Sequence, residues 1–280
     1  MSIKTYIKRG LQYIRRGTPI VSVNPKISYL SPNNRLEGKK IIITGGGRGL
    51  GLAMAEKFIK EGANVLISGR TESTLKDAAT KLGCQYIVFD VCDVASAADF
   101  IEDANRKLGG VNVLVNNAGI SLHEWHIKNV SIEQFDLQMN TNLKGGYFLT
   151  QKFIEQLKKN NSSQGNILFI SSERGIQTDD IPYGLTKAAI NSLVKGLAPL
   201  LIKEGIRVNA LAPGITTSDM TGYSKDGNLY CASNPNNRVY LPEEMAEVAS
   251  FLISDASSCV SGQIIVCNEG KTGNSRYMYR

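Results

Sequence analysis

The 280-residue sequence is 42% hydrophobic and carries 32 basic against 25 acidic side chains, a formal net charge of +7. This suffices for one domain with a sizeable core, and the sequence has neither the ~20-residue apolar run of a membrane span nor the apolar centre of a secretory signal. We therefore expect a soluble, cytoplasmic protein, with organelle targeting by the basic N-terminus left open. Five cysteines without a CxxC spacing and two histidines favour neither disulfides nor a metal site.

The excess positive charge is confined to the start of the chain. Residues 1–36 contain seven basic and no acidic side chains, and subtracting these seven from 32 leaves 25 basic residues against 25 acidic ones. A neutral body gives no reason to expect nucleic-acid binding. Residues 1–17 also place apolar side chains at helical spacing, from Ile3 to Ile14. Such a helix would touch a membrane surface weakly, dock on a neighbouring subunit, act as an organelle address or pack against its own fold.

Short runs rich in Val, Ile and Leu recur from Lys39 onward and alternate with helical patterns. Nearly continuous apolar runs are typical of parallel strands covered by helices on both faces, which predicts a doubly wound α/β fold. Ser131 with Gln134 predicts a capping box, and Pro242 predicts a helix start. The predicted strands are 40–44, 64–68, 86–90, 111–116, 166–171, 207–212 and 263–267, and the predicted helices are about 50–61, 73–82, 95–108, 131–158 with a break, 183–204 and 243–254.

One long connection, residues 215–241, has no periodic pattern. It is too long for an ordinary loop in a domain of this size, so we predict that it is an active-site lid. We call it the lid below.

A glycine-rich stretch, TGGGRGLG at 44–51, follows the first predicted strand and opens the first helix. Glycines at such a place let backbone N–H groups approach a pyrophosphate, and the helix N-terminus adds partial positive charge. The spacing Gly45-x-x-x-Gly49-x-Gly51 differs from the GxGxxG fingerprint. A plain tight turn is the alternative, but the position between strand and helix favours phosphate binding.

The residues after the second strand predict which dinucleotide is bound. A carboxylate there suits the ribose of NAD, whereas basic side chains suit the 2′-phosphate of NADP. Here Arg70 follows the strand, Arg48 lies in the glycine loop, and Glu72 is the only acid nearby. We expect the two arginines to converge on one ribose, so NADP(H) is predicted to be preferred, with NAD(H) possible.

Five motifs occur in register: TGGGRGLG, NNAG at 116–119, ISS at 170–172, Tyr183-x-x-x-Lys187 and Pro213-Gly214. Together they resemble the single-domain short-chain dehydrogenase/reductase family over roughly residues 37–270, with similarity to its 3-oxoacyl-carrier-protein reductases. The resemblance implies a Rossmann-type three-layer sandwich with a seven-stranded parallel sheet. It also implies a nicotinamide-dependent enzyme that interconverts a ketone or aldehyde and an alcohol, assembled as a homodimer or homotetramer. The chain then divides into a basic extension 1–36, the domain 37–270 and a tail 271–280.

The resemblance also assigns site residues. The catalytic set is Asn142, Ser172, Tyr183 and Lys187. Asp90 and Val91 would hold the adenine, and residues 117–119 would lie beside the adenosine ribose. The full set of expected cofactor-binding residues is Gly45, Gly47, Arg48, Gly49, Leu50, Gly51, Arg70, Asp90, Val91, Asn117, Ala118, Gly119, Tyr183, Lys187, Pro213, Gly214 and Thr216.

The chemistry of ketone reduction independently favours a catalytic role for Tyr183 and Lys187. Reducing a ketone by hydride transfer requires a proton at the oxygen, and a free tyrosine with a pKa of ~10 is a poor partner for that transfer. Lys187 lies one helical turn from Tyr183, so we expect its ammonium to lower the pKa of the phenol. Tyr183 is then the acid/base, Ser172 donates to the substrate oxygen, and Asn142 supports a water relay to Lys187, which also binds the nicotinamide ribose.

Two departures from the family pattern stand out. Ser172 and Tyr183 are 11 residues apart, about two fewer than usual, so Ser171 is an alternative catalytic serine, although Gly175 favours Ser172. The family's closing Asp-Gly-Gly is replaced by Asn268, Glu269 and Gly270. In the family this end of the chain often packs at a subunit interface, so the replacement concerns how subunits assemble.

The substrate pocket is predicted to be polar. It would be lined by the loop 121–126, which contains His123, Trp125 and His126, by the lid, and by charged side chains before Tyr183, namely Glu173, Arg174, Asp179 and Asp180. This favours a hydroxylated or anionic small molecule. A nucleotide-sugar epimerase or dehydratase and a non-catalytic NADP-binding protein are the alternatives; the first usually needs a larger C-terminal domain, and the second would normally have lost a catalytic residue.

Overall fold

The computed structural model describes residues 34–162, 164–224 and 227–273, so the predicted helix in 1–17 lies outside it. Seven parallel strands form one sheet in the order β3-β2-β1-β4-β5-β6-β7, which confirms the doubly wound α/β prediction. The strands are β1 Lys40–Thr44, β2 Asn64–Gly69, β3 Gln85–Val88, β4 Val113–Asn116, β5 Gly165–Ile170, β6 Ile206–Pro213 and β7 Ile264–Cys267. The helices are α1 Gly49–Lys60, α2 Glu72–Leu82, α3 Ala97–Leu108, α4 Ile132–Gln138, α5 Gly146–Lys159, α6 Pro182–Leu201 and α7 Pro242–Ile253.

The sheet has a core on each face because successive strand residues point to opposite sides. In β1, Ile42 packs in the core shared with α3, α5 and α6, whereas Ile41 and Ile43 pack under α1, α2 and α7. All three isoleucines are fully buried, and burying such a side chain stabilises a fold by ~1.5–3 kcal/mol. This two-sided burial explains the continuous apolar runs of the sequence.

The direction of winding reverses at β1, which pairs with β2 on one side and β4 on the other. In open α/β sheets, ligands bind in the crevice at the carboxyl ends of the strands beside such a reversal. The loops after β1, β4, β5 and β6 open onto this edge, and they contain the glycine loop, Asn117, Ser172 and the lid.

The predicted helix break between 131 and 158 is a π-helical segment, Met139–Gly145, that joins α4 to α5 without interrupting the helical path. Such segments often occur at functional sites. Gly145 is required here because a Cβ atom would overlap the carbonyl oxygen of Val91. The predicted capping box at the start of α4 is confirmed, with Gln134 N–H donating to Ser131 Oγ over 3.2 Å.

Helix α6 and the short turn after it, Pro182–Glu204, are long and apolar enough to cross a membrane by length and a mean hydropathy of 1.3, although the sequence analysis expected no such stretch. The same helix buries the polar residues Thr186, Lys187 and Asn191 and packs along β6. These features are typical of a core helix, whose apolar face lines the interior of a domain.

The predicted domain boundaries stay predictions. Leu36, at the end of the predicted extension, is fully buried, and its N–H donates to the carbonyl of Glu61 over 2.9 Å. Lys271, at the start of the predicted tail, is also buried.

Candidate active site

Several positions of the glycine loop after β1 require glycine. Gly45 and Gly49 have φ of 65° and 53°, in the left-handed region that favours glycine. A Cβ on Gly51 would overlap the carbonyl oxygen of Gly45, and one on Gly46 would lie 2.7 Å from the Ile67 side chain. The loop therefore presents backbone N–H groups and the start of α1, an arrangement that fits a pyrophosphate.

The end of β4 is fastened to the glycine loop. Asn117 Nδ2 donates to the carbonyl oxygens of Thr44 at 2.8 Å and Gly45 at 3.0 Å. Thr44 Oγ1 accepts from the N–H groups of Asn117 at 3.1 Å and Ala118 at 3.0 Å. Asn117 and Ala118 thus hold the two strand ends together at the crevice.

The two arginines predicted to converge on a ribose have different surroundings. Arg70 is exposed just after β2, beside Cys92, whereas the Arg48 guanidinium pairs with the lid carboxylate of Asp219 over 3.0 Å. Asp90 Oδ1 accepts from the Cys92 N–H over 2.9 Å and so fixes the turn after β3, and Val91 is buried. The lid carboxylate is a partner of Arg48 that the local sequence does not reveal, and the convergence of the two arginines on a ribose stays a prediction.

The predicted catalytic residues do meet. Ser172 follows β5, and its hydroxyl lies close enough to the Tyr183 phenol, in the first turn of α6, to act on the pKa of that phenol. Lys187 Nζ lies 5.6 Å from the centroid of the Tyr183 ring and donates to the carbonyl of Ile170 over 2.9 Å. Ser171 instead donates to Asn191 Oδ1 over 2.7 Å, away from Tyr183. The geometry therefore favours Ser172 over Ser171.

The expectation that Lys187 lowers the pKa of Tyr183 is not met. Burial raises the pKa of Tyr183 above its usual value, and the Ser172 hydrogen bond and the Arg174 charge offset part of that rise. Burial also lowers the pKa of Lys187 to about 8. The phenol is therefore neutral near neutral pH, and the positive charge that lowers its pKa is that of Arg174, a contribution that the spacing of Tyr183 and Lys187 does not reveal.

Asn142 is positioned by the π-helical segment. Its Oδ1 accepts from the Ile120 N–H over 2.8 Å, and its Nδ2 donates to the Ile120 carbonyl over 2.9 Å. A cavity of about 10 Å³ lies between Asn142, Lys187 and Asn116, whose Oδ1 is buried without a hydrogen-bond partner among the described residues. A cavity of this size has room for about one water molecule, so the arrangement is compatible with a relay.

The charged side chains of the loop before Tyr183 have partners within the loop and outside it. Arg174 Nη2 donates to Asp179 Oδ1 over 2.6 Å, and the Asp179 side chain is only 3% exposed. Glu173 is buried and pairs with Lys271 over 2.9 Å. The prediction that these side chains line the substrate pocket is therefore wrong for Glu173 and Asp179. Two features of the sequence could have indicated that Glu173 is paired in the interior. Glu173 directly follows Ser172, and the closing motif has Asn268 where the family has an aspartate.

Two further segments border the site. In the loop 121–126, Trp125 is 93% exposed, and His126 lies 3.7 Å from Asp180 of the facing loop. After β6, Gly214 packs so closely on Tyr240 that a Cβ would lie 2.7 Å from its ring, and Thr216 Oγ1 donates to the Gly214 carbonyl over 3.0 Å. The lid thus leaves the sheet at Pro213-Gly214 beside the crevice.

Comparisons with known proteins agree with this geometry. A family model described as enoyl-(acyl carrier protein) reductase matches residues 45–272. L-fucose dehydrogenase of Bos taurus is 31% identical over 263 residues, covering 88% of this chain and 94% of that protein. A 3-oxoacyl-[acyl-carrier-protein] reductase of Thermotoga maritima is 35% identical over 245 residues, covering 84% and 98%. The crystal structure of 3-ketoacyl-(acyl-carrier-protein) reductase from Brucella melitensis complexed with NADH has a TM-score of 0.78 at 32% identity, covering 85% of this chain and 99% of that one.

Proposed function

The chain belongs to the short-chain dehydrogenase/reductase family and is a nicotinamide-dependent oxidoreductase of alcohol and carbonyl groups, and from this premise we propose that Tyr183 is its acid/base and NADP(H) its preferred cofactor. The observation that carries the proposal is the meeting of Ser172, Tyr183 and Lys187 at the carboxyl edge of the sheet, with Lys187 Nζ 5.6 Å from the centre of the Tyr183 ring. When bound, the reduced nicotinamide supplies the hydride.

In the reductive direction, the Tyr183 phenol donates its proton to the carbonyl oxygen as the carbonyl carbon is reduced. The Ser172 hydroxyl donates a hydrogen bond to the same oxygen and stabilises the negative charge that develops there. The phenolate left behind recovers a proton from Lys187, which is re-protonated through a water held near Asn142. Lys187 Nζ is kept beside this route by the Ile170 carbonyl, 2.9 Å away.

The cofactor preference rests on basic side chains. Arg48 immediately precedes α1 and Arg70 follows β2, and no acid follows β2 before Glu72. A 2′-phosphate is stabilised by such guanidinium groups, whereas NAD-specific sites of this fold use a carboxylate. Arg48 would have to exchange Asp219 for the phosphate.

Tyr183→Phe tests the acid/base role. We expect turnover to fall by ~10³-fold or more, because removing the proton donor costs several kcal/mol of transition-state stabilisation. NADPH binding, measured by quenching of protein fluorescence, should stay within about twofold, since each 1.4 kcal/mol corresponds to ~10-fold in affinity and one hydroxyl contributes little to a dinucleotide. A variant that turns over at the wild-type rate would refute the role.

The substrate class is tested by a screen with both cofactors. The relatives suggest two probes of different chemistry: L-fucose, followed by NADP⁺ or NAD⁺ reduction, and acetoacetyl-coenzyme A, followed by NADPH or NADH oxidation. We propose a hydroxylated or anionic small molecule, and both probes fall in this class. Activity that is confined to simple hydrocarbon ketones would contradict the proposal, and equal kcat/KM with NADH and NADPH would contradict the cofactor preference.

We also propose a homodimer or homotetramer formed through the helices around α5. A groove of about 530 Å³ runs between the π-helical segment, α5 and α6, lined by Leu143, Tyr147, Phe148 and Leu193. Tyr147 and Phe148 are 47% and 37% exposed, an unusual exposure for neighbouring aromatic residues. Phe148→Glu should lower the mass measured by light scattering, whereas Lys81→Glu, on exposed α2, should not.

The cytoplasmic location stays a prediction of the sequence.

A further inference from the structure

Four polar residues from three distant segments meet in the interior beside the site. Glu173 follows the catalytic serine, Asn234 lies in the lid, and Asn268 and Lys271 follow β7. Lys271 Nζ donates to Glu173 Oε1 at 2.9 Å and to Asn234 Oδ1 at 3.3 Å, and Asn268 Nδ2 donates to Glu173 Oε2 at 3.0 Å. All four residues are buried.

Because the cluster is buried, each of its charged and polar groups needs a partner. A buried charge is tolerated only when it is paired and hydrogen-bonded, and removing one partner leaves the other uncompensated. Both oxygens of Glu173 and the ammonium of Lys271 have partners within the cluster, so each member depends on the rest.

On one side the cluster reaches the catalytic serine. Glu173 is the first residue of a 3₁₀ turn, Glu173–Gly175, that begins at Ser172. Ser172 Oγ accepts from the Arg174 N–H over 3.2 Å, and the Gly175 N–H donates to the Ser172 carbonyl over 3.0 Å. Anchoring Glu173 therefore restrains the turn that aims the Ser172 hydroxyl at Tyr183.

On the other side the cluster reaches the second part of the lid, residues 231–241, which we call the distal limb. Asn234 Nδ2 donates to the Arg238 carbonyl over 2.7 Å, closing a loop within the limb. Arg238 lies 3.6 Å from Glu269, and the Tyr240 hydroxyl donates to Glu269 Oε2 over 3.3 Å. The limb is thus fastened to the segment after β7 through Glu269 and through Lys271.

We propose that Glu173, Asn268 and Lys271 form a buried tie whose members are positioning residues: they aim Ser172 and hold the distal limb of the lid against the catalytic turn. The tie rests on the proposed function for its effect on turnover, but not for its effect on the limb.

The arrangement of charges within the tie explains why position 268 is an asparagine and not an aspartate. Its amide donates to one oxygen of Glu173 while Lys271 donates to the other, so one negative charge faces one positive charge. An aspartate at position 268 would lose the donor and place a second carboxylate against Glu173, with a single lysine for both. A glutamine at position 173 would restore the balance, because its amide could then donate to the new carboxylate.

A rescue experiment tests the tie. Asn268→Asp should lower kcat/KM for the better of acetoacetyl-coenzyme A and L-fucose by at least 10-fold and speed amide exchange in 231–241. The double variant Asn268→Asp/Glu173→Gln should recover most of the lost kcat/KM and most of the slow amide exchange in 231–241. The rate of amide exchange in α2 should be the same in all variants. Asn64→Asp, which adds the same charge at the exposed start of β2, is the matched control and should alter neither quantity.

A second variant covers the case in which Asn268→Asp folds poorly. Lys271→Met should also speed exchange in the distal limb and raise KM for the substrate, with NADPH affinity unchanged. If Glu173→Gln fails to rescue Asn268→Asp, or if Lys271→Met leaves limb exchange at the wild-type rate, the tie is refuted. A wild-type protein that turns over neither probe, yet shows the exchange pattern, would overturn the proposed function and leave the hold on the limb intact.

Discussion

The two halves of the crevice are held together by different means. On the side of β1 and β4, glycines and backbone groups make the contacts, and Asn117 joins the strand ends directly. On the side of β5 and β6, side chains far apart in sequence make them, such as Glu173 with Lys271, 98 residues apart. We call these the cofactor half and the substrate half.

This difference shows where each half can change. In the cofactor half, backbone atoms lie so close together that a Cβ atom on Gly46 or Gly51 would overlap its neighbours. This half therefore tolerates only glycine at these positions. A contact made by side chains can be exchanged for another balanced pair, as long as charge and hydrogen bonds match. The first half therefore suits an invariant ligand such as a dinucleotide, and the second half suits a substrate that differs among relatives.

The largest effect is expected in the cofactor half. Gly51→Ala would press a methyl group into the carbonyl oxygen of Gly45, a backbone atom that Asn117 also holds. We expect NADPH affinity to fall by ~100-fold or more, about 3 kcal/mol. Gly196→Ala is the matched control, since nothing lies within 4 Å of its Cβ position in α6. It should leave affinity unchanged and stabilise the helix by ~0.5–1 kcal/mol. Equal affinities for all three proteins, by fluorescence titration, would contradict the rigid loop.

The cofactor half was also the easier half to predict. Strand periodicity and a glycine stretch between strand and helix are local signals, and they located β1, the loop and α1 to within a residue or two. The same holds for Tyr183 and Lys187, which share one turn of α6. Local spacing is enough when neighbouring residues make the contact.

The substrate half was harder because its partners are distant. The sequence placed Glu173 and Asp179 in the pocket, whereas each pairs with another side chain, and it did not reveal that Arg48 pairs with Asp219. The prediction for the pKa of Tyr183 failed for a related reason: the spacing of two residues reveals their proximity but not the burial that mainly sets the pKa. Pairings across 98 or 171 residues need the fold itself.

Lys187, at the seam between the halves, should make stability depend on pH. Burial lowers its pKa from 10.5 to about 8. Between these values the folded protein has lost the proton that the unfolded chain still binds, so stability rises with pH across this window. Relative to Lys187→Met, the wild type should gain about 3 kcal/mol in unfolding free energy from pH 7 to 10.5, because each pH unit between the two pKa values contributes ~1.4 kcal/mol.

The measurement is urea unfolding of both proteins at several pH values. Other groups that titrate in this range, tyrosines and cysteines among them, are common to the two proteins and cancel in the difference. A difference that stays constant with pH would show that the Lys187 ammonium is not penalised by burial.

The smallest effect concerns an ion pair that links the glycine loop to the lid. Arg48 and Asp219 are 74% and 75% exposed, and such pairs contribute ~0–1 kcal/mol to stability. Asp219→Asn should therefore leave the unfolding free energy nearly unchanged. It should raise NADPH affinity by about 2- to 5-fold, because Arg48 no longer has to leave a carboxylate to reach a 2′-phosphate, and surface charges still interact within ~10 Å at 0.1 M salt.

The affinity for NADH separates this explanation from a general loosening of the lid. NADH has no 2′-phosphate, so its affinity should not change in Asp219→Asn, and the gain for NADPH should shrink as salt is added because the charges are exposed. Asp255→Asn removes an equal charge from a side chain that is 53% exposed and pairs with Lys39, and it should alter neither affinity. If both cofactors gain equally, Asp219 acts by holding the lid over the crevice, and the substrate half then controls cofactor entry without discriminating between the two nucleotides.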